Sequence, residues 1–317
     1  RMELILSRGL VENPPFTRDD LRSWDRIFHG CNMGKAQRLP HSGTHAGQQQ
    51  FASDVIVYMD NFGRTRTESL GGNHYAAAFI ARRSKWGWIF LLKTESQMLA
   101  VMDKFLHKYY SMHGSLPSVM YSDGASVNTS AQMQALLQQR AVAQRFTVPH
   151  QSEQNPAEVY IRVLCAIART NLQASNRPLR LWGEALMAAN YLRNRMPCTG
   201  NPGAVSPYQM EFGHPPDTSH HRPWGQTVYS HLPHDDRENS RGESLDAAAE
   251  VGILVGYQGN GSGYRVFFPD RRGGKGNVLI RRDLKFCKPG TAPPEEGDVR
   301  FQQRRRHEMM TGTCRPI

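Results

Sequence analysis

A polar, proline-bracketed loop runs straight into a strongly patterned helix at residues 149–169, PHQSEQNPAEVYIRVLCAIAR, and a single carboxylate, Glu158, stands at the junction. Asn155 suits the N-cap, Pro156 the first helical position and Glu158 the third. One reading is local: Asn155 and Glu158 form a capping-box-like pair that starts a helix. The other makes Glu158 a site residue, presented by a helix whose apolar stripe of Ile161, Leu164/Cys165, Ala168 and Leu172 anchors it to a core. Arg162 and Arg169 lie seven apart on a neighbouring stripe, where a basic run is either a solvated face or a set of phosphate contacts.

Upstream, short apolar runs alternate with helical periods. The runs at 54–60 (DVIVYMD), 73–82 (NHYAAAFIAR) and 86–93 (WGWIFLLK) predict three strands in an antiparallel meander. Met98, Val101/Met102, Phe105 and Tyr109 recur at helical spacing within 95–112. A fourth strand at 118–123 (SVMYSD) ends in Asp123. A helix is expected at 130–139, with Met133, Leu136 and Leu137 inward, and a fifth strand at 141–148. A last helix at 181–196 stops before Pro197. The pattern predicts an α/β layered domain, a mixed five-stranded sheet with flanking helices, over residues 51–197.

Residues 1–50 are rich in Pro, Gly, His and Gln and predict an irregular arm with one short helix at 17–28. Residues 198–249 predict a mobile connector. Three alternating strands at 251–286, separated by Gly-rich turns, predict a small β-barrel over 250–287. Residues 288–317, with the run Arg304–Arg306, predict a basic disordered tail.

The net charge of +11 over 317 residues suits a polyanionic partner, nucleic acid first. Cys31, Cys165, Cys198, Cys287 and Cys314 are odd in number and lack metal-ligand spacing, as expected in a reducing intracellular compartment. No run of eighteen apolar residues and no signal-peptide pattern occurs, so neither a membrane span nor secretion is expected. The start at Arg1-Met2-Glu3-Leu4 shows no domain onset and suggests a piece of a longer polyprotein.

Asp60 and Asp123 each close a predicted strand, and Glu158 opens a helix. If the first and fourth strands are neighbours, both aspartates emerge at one sheet end, within reach of the helix. Three crowded carboxylates repel one another unless cations lie among them. Hard oxygen ligands of this kind suit Mg²⁺ or Mn²⁺. Two ions about 3.5–4 Å apart would activate a hydroxyl and stabilise a leaving oxygen in phosphodiester displacement. A basic surface would hold the phosphate backbone while the acidic site holds the metals.

In order, the chain resembles the integrases of copia-type long-terminal-repeat retrotransposons, relatives of retroviral integrases. The resemblance covers roughly residues 24–287. It rests on VYMDNFG at Asp60, WGWIFLLKTES, SDG at 122–124, PHQSEQNPAE, LWGEALMAANYLRNRMP at 181–197, SPYQMEFGHPP at 206–216 and GILVGYQGNGSGYRVF at 252–267. It implies a ribonuclease-H-like core with Asp60, Asp123 and Glu158 as catalytic residues and metal ligands for two Mg²⁺ or Mn²⁺ ions. The implied reaction is strand transfer, in which a 3′-hydroxyl of element DNA attacks target DNA. DNA and further copies of the chain are the implied partners and the nucleus the implied place of action. Asn155, Arg162, Arg169 and Lys285 are the expected DNA contacts.

The chain also departs from the family pattern. Thirty-four residues separate Asp123 from Glu158, one fewer than usual, and Pro156 stands near the family's usual Gly. Gly124 replaces the usual Asn after the second aspartate. The amino-terminal zinc module survives only as Cys31 before GKA; Phe28 occupies a cysteine position and no His precedes it, so no zinc is expected. His150, in the loop before Glu158, reads either as a solvated polar residue or as a group near DNA. These departures keep open a decayed or repurposed copy that binds nucleic acid without catalysis. A ribonuclease-H-type hydrolase, using water as nucleophile, fits the Gln154-Asn155 loop and the carboxy-terminal barrel less well.

Overall fold

A computed structural model of the chain describes residues 2–14, 16–23, 55–123, 128–146, 155–232, 249–259, 262–271 and 273–287. Strands β1 (Ile56–Phe62), β2 (Tyr75–Ala81), β3 (Gly87–Leu92), β4 (Val119–Ser122) and β5 (Ala143–Phe146) form one sheet in the order β3-β2-β1-β4-β5. The first three pair antiparallel, whereas β1–β4 and β4–β5 are parallel. This is the mixed sheet of a ribonuclease-H-like core. The alanine run of β2 lies buried on both faces, as a central strand between two helical layers demands.

Two cores flank that sheet. On one side Val57, Met59, Phe79 and Met120 meet Met102, Phe105 and Leu106 of helix α3 (Met98–His113) and Met133 and Leu137 of α4 (Ala131–Gln139). Helix α3 ends at Gly114, whose φ of 71° supplies the left-handed residue that closes the helix. On the other side Ala76, Ala78 and Ile80 meet α5 (Pro156–Ala174) and α6 (Trp182–Arg195).

Helix α6 also reaches a second sheet. Strands β6 (Thr227–His231), β7 (Ala249–Tyr257), β8 (Tyr264–Phe268), β9 (Asn277–Arg281) and β10 (Leu284–Phe286) are ordered β10-β6-β7-β8-β9, all antiparallel. That arrangement fits a small β-barrel. Ile253, Val255 and Phe267 of this sheet join the same core as Ala185 and Leu186 of α6. Arg265 on β8 forks onto Glu184 of α6 through bonds of 2.7 and 2.8 Å. The core and the barrel thus share one apolar layer and one bidentate ion pair.

Several sequence expectations shift. Strand β1 runs on to Phe62, so Asp60 lies inside the strand rather than at its end. The expected irregular arm holds a helix that was not expected, α1 (Met2–Arg8), while α2 (Arg18–Ser23) falls within the short helix expected at 17–28. Glu12 bonds Pro216 and Thr218 through its backbone, so the early residues dock onto the body. The expected connector from 198 contains α7 (Pro207–Phe212) and β6, because β6 gains its partners from β7 and β10, which are distant in sequence. The single strand expected at 277–286 splits into β9 and β10. Residues 24–54, including the zinc-module remnant at Phe28 and Cys31, and the tail at 288–317 lie outside the described residues. Among the described residues no helix is long and apolar enough to cross a membrane.

The outer edge of β3 is closed by a side chain. Asn194 of α6 accepts from the Gly87 N–H at 2.9 Å and donates to the Gly87 carbonyl at 2.8 Å, as a neighbouring strand would. Tyr160 of α5 lies over the same glycine and donates to Asn190 at 2.7 Å. A Cβ on Gly87 would stand 2.2 Å from the Tyr160 ring. Gly87→Ala should lower stability by about 3 kcal/mol through this clash. Asn194→Ala should cost about 2–3 kcal/mol by orphaning a buried N–H and carbonyl. Urea unfolding measures both, and unchanged midpoints would refute the edge-closing role. Glu184→Ala should cost about 3 kcal/mol by leaving the Arg265 charge unpaired. The double variant Glu184→Ala/Arg265→Ala should lose less than the sum of the two singles.

Candidate active site

Strand phase sets the positions of the carboxylates. Along β1, Val57 and Met59 face the α3 layer, while Tyr58 and Phe62 pack towards α5 and α6. Asp60 shares the phase of Tyr58 and Phe62, because side chains alternate every second residue. On β4, Tyr121 pairs with Tyr58 across the parallel ladder, and their rings stack with centroids 5.2 Å apart. Asp60 lies two residues past Tyr58 in β1, Asp123 lies two past Tyr121 and just beyond the end of β4 at Ser122, and the Asp123 charge reaches Asp60. Helix α5 carries Glu158 in its first turn.

Each carboxylate has its own partner. The Asn61 N–H donates to Asp60 Oδ1 at 2.8 Å. Asn128 donates to Asp123 Oδ1 at 2.6 Å, and the Asn128 carbonyl accepts from Gln144 on β5. Asn128 was not singled out from the sequence; nothing in its spacing marks it. Arg162, one turn along α5, donates to Glu158 Oε1 at 3.0 Å. Of the two readings of this junction, the reciprocal capping box is not formed, though Asn155 does cap the helix. Asn155 Oδ1 accepts from the Ala157 N–H at 3.0 Å, while the Glu158 carboxylate turns to the arginine at i+4 instead of reaching back to the cap.

The three groups share one electrostatic field. Burial pushes the Asp60 carboxyl up to about 6; the Asn61 N–H opposes this, and the charges of Asp123 and Glu158 add to it. Among the described residues no three His, Cys, Asp or Glu side chains stand close enough together to hold a metal ion. The carboxylates are thus coupled through space, but with Glu158 paired to Arg162 they do not form one ligand shell. In kind the donor set, carboxylate oxygens with two negative charges acting on Asp60, fits a hard divalent cation.

The expected DNA contacts are dispersed. Asn155 is 5% exposed and its side chain is engaged in capping, because the helix start needs that acceptor. Arg162 is exposed but tied to Glu158. Arg169 lines an apolar groove of about 300 Å³ with Phe62, Cys165, Leu172, Trp182 and Leu186. Lys285 is exposed on β10, opposite Tyr229 of β6, in the second sheet. His150 and Gly124 lie outside the described residues.

Because the Asp60 carboxyl is raised from 3.8 to about 6, its ionisation opposes folding. This cost is absent below about pH 4, grows as pH rises towards 6 and is constant above. Asp60→Asn should therefore stabilise the metal-free protein at pH 7.5 by about 1–3 kcal/mol, with roughly half that gain at pH 5. Chemical denaturation at the two pH values measures the difference; a variant no more stable than wild type at pH 7.5 would contradict it.

The chain is similar to several known proteins. Residues 226–300 match the family model of the retroviral polymerase SH3-like domain. The chain is 27% identical over 257 residues to the retrovirus-related Pol polyprotein from transposon TNT 1-94 of Nicotiana tabacum, covering 81% of this chain and 18% of that protein. It is 25% identical over 211 residues to the retrovirus-related Pol polyprotein from transposon RE2 of Arabidopsis thaliana, covering 64% of this chain and 14% of that one. The HTLV-2 integrase catalytic core domain, solved in complex with magnesium, aligns with a TM-score of 0.38 at 13% identity, over 50% of this chain and 96% of that one. The chain spans less than a fifth of the length of these curated relatives. Its homologues are retrotransposon Pol polyproteins.

Proposed function

We propose that this chain is the integrase region of a retrotransposon Pol polyprotein and joins element DNA to target DNA by metal-dependent strand transfer in the nucleus. The observation that supports this reading is the coupling of the three carboxylates: the charges of Asp123, just past β4, and of Glu158, in the first turn of α5, both act on Asp60 in β1. These three residues would hold Mg²⁺ or Mn²⁺, which supplies activation of the attacking 3′-hydroxyl and stabilisation of the leaving oxygen. Asn128 orients the Asp123 carboxylate. Arg162 neutralises Glu158 in the metal-free protein and, on release from it, becomes a donor for a DNA phosphate. The charge of +11 draws the DNA backbone to a protein whose reactive site is acidic. Joining two DNA ends calls for more than one copy of the chain.

A second reading is binding to nucleic acid without catalysis. The observation favouring it is that the three carboxylates do not gather into one ligand set among the described residues. The shortened Asp123–Glu158 spacing points the same way.

A strand-transfer assay with oligonucleotide ends and Mg²⁺ or Mn²⁺ separates the two. Wild type should give metal-dependent product, and Asp123→Asn should reduce it by a hundredfold or more, about 3 kcal/mol in barrier. Equal product from both proteins would end the catalytic assignment. Salt-steep DNA binding with no product from wild type would establish the second reading.

A further inference from the structure

Away from the carboxylates, the carboxyl end of α6 and helix α7 enclose a cavity of about 450 Å³. Trp86, Tyr191, Tyr208 and Phe212 give it aromatic walls, and Arg195 lies among them. Arg195 is 8% exposed, unusually deep for a guanidinium. One face of its guanidinium lies 3.5 Å from the Tyr191 ring centroid, and Tyr208 lies at 5.3 Å. Of its five N–H donors, one reaches a protein acceptor among the described residues, the Tyr191 carbonyl at 3.3 Å. No carboxylate pairs with it there: Asp217, in the same cavity, accepts from the Ser219 N–H at 2.8 Å instead. None of the Arg195 nitrogens is both sealed from solvent and unpartnered, so its remaining donors keep access to solvent, and the residue itself lines the cavity.

Stacking on tyrosine supports a buried arginine but leaves its in-plane donors unused. A planar fork with free donors matches a phosphate or carboxylate that approaches edge-on. Beside it, Trp86, Tyr208 and Phe212 form a ring cluster, with centroid separations of 5.6 Å for Trp86–Phe212 and 4.6 Å for Tyr208–Phe212. Phe212 is 45% exposed and offers a flat apolar face. An anion joined to a flat ring satisfies both halves, and the cavity is large enough for one such unit.

We propose that this cavity is a nucleotide site, with a backbone phosphate on Arg195 and its base against the Phe212–Trp86 cluster. The positive charge of the chain favours a nucleic-acid strand over an acidic peptide as the source. The site takes from the proposed function only the class of partner. No residue lining it belongs to the carboxylate cluster, and its occupancy needs no divalent metal.

The test is binding of a 5′-phosphorylated, fluorescein-labelled single-stranded hexanucleotide to the full chain in EDTA, where strand transfer does not run. Adenosine 5′-monophosphate should displace the probe at lower concentration than adenosine or inorganic phosphate does. Arg195→Gln should weaken binding tenfold or more, and Phe212→Ala, at an exposed position that leaves the core intact, about fivefold to tenfold. If Arg195→Gln does not fold, Phe212→Ala decides alone. Unchanged affinity in folded variants overturns the proposal. So does displacement by an acidic aromatic peptide but not by adenosine 5′-monophosphate, which would assign the cavity to a protein partner. Either failure leaves the strand-transfer assignment untouched, since that is read from metal-dependent product.

Discussion

Helix α6 is the element against which the others are placed, through polar contacts that a packed core cannot leave unmade. Asn194 closes the edge of β3 by bonding both polar groups of the Gly87 peptide, and Trp182 donates from its indole to the Thr67 carbonyl at 2.9 Å. Glu184 holds Arg265 of the barrel with both oxygens. These residues come from the stretch LWGEALMAANYLRNRMP, whose Trp, Glu and Asn positions therefore have structural explanations. Each bond alone is worth about 1 kcal/mol, more for the charged pair, but breaking one leaves a desolvated group behind. The helix thus fixes the sheet edge, the position of α5 through Tyr160, and the barrel on its other side.

That placement sets the electrostatics of the carboxylate site. Packing α5 against the sheet buries the Asp60 carboxyl, which is the main reason it is raised, and keeps Glu158 close enough for its charge and that of Asp123 to add to the effect. Arg162 meets part of the charge from within the same helix. Such a pair on a half-exposed surface is weak, so exchanging it for a stronger partner costs little.

Much of the core was readable because it obeys simple periods. The alternation of β1, the alanine-rich β2 and the stripes of α3 and α5 follow from burial of one face, and each is a local property of the sequence. The misreadings share a cause. Strand β6 looked like connector because TVYSH is short and semi-polar; its partners, β7 and β10, lie roughly 20 and 55 residues further on. Helix α1 is too short to be marked by periodicity, and the chain just after it is tied down where Glu12 bonds Pro216 and Thr218. Strand β1 continues two residues past the carboxylate because Asn61 and Phe62 pair with Ala77 and Ala76.

The sequence by itself determined which carboxylates exist, their order and their phase on β1, β4 and the first turn of α5. Phase follows from chain geometry, with period two in a strand and 3.6 in a helix, and needs no knowledge of neighbours. Only the tertiary structure decided what each group touches. It brought the Asp123 charge to bear on Asp60 by pairing two strands far apart in sequence, engaged Asn155 as a buried cap, and buried Arg195 with no carboxylate paired to it among the described residues. Partner choice depends on distances between elements and on local desolvation, and both arise when the layers pack. The Glu158 that opens α5 is therefore legible as a position in the sequence, while its pairing with Arg162 belongs to the fold.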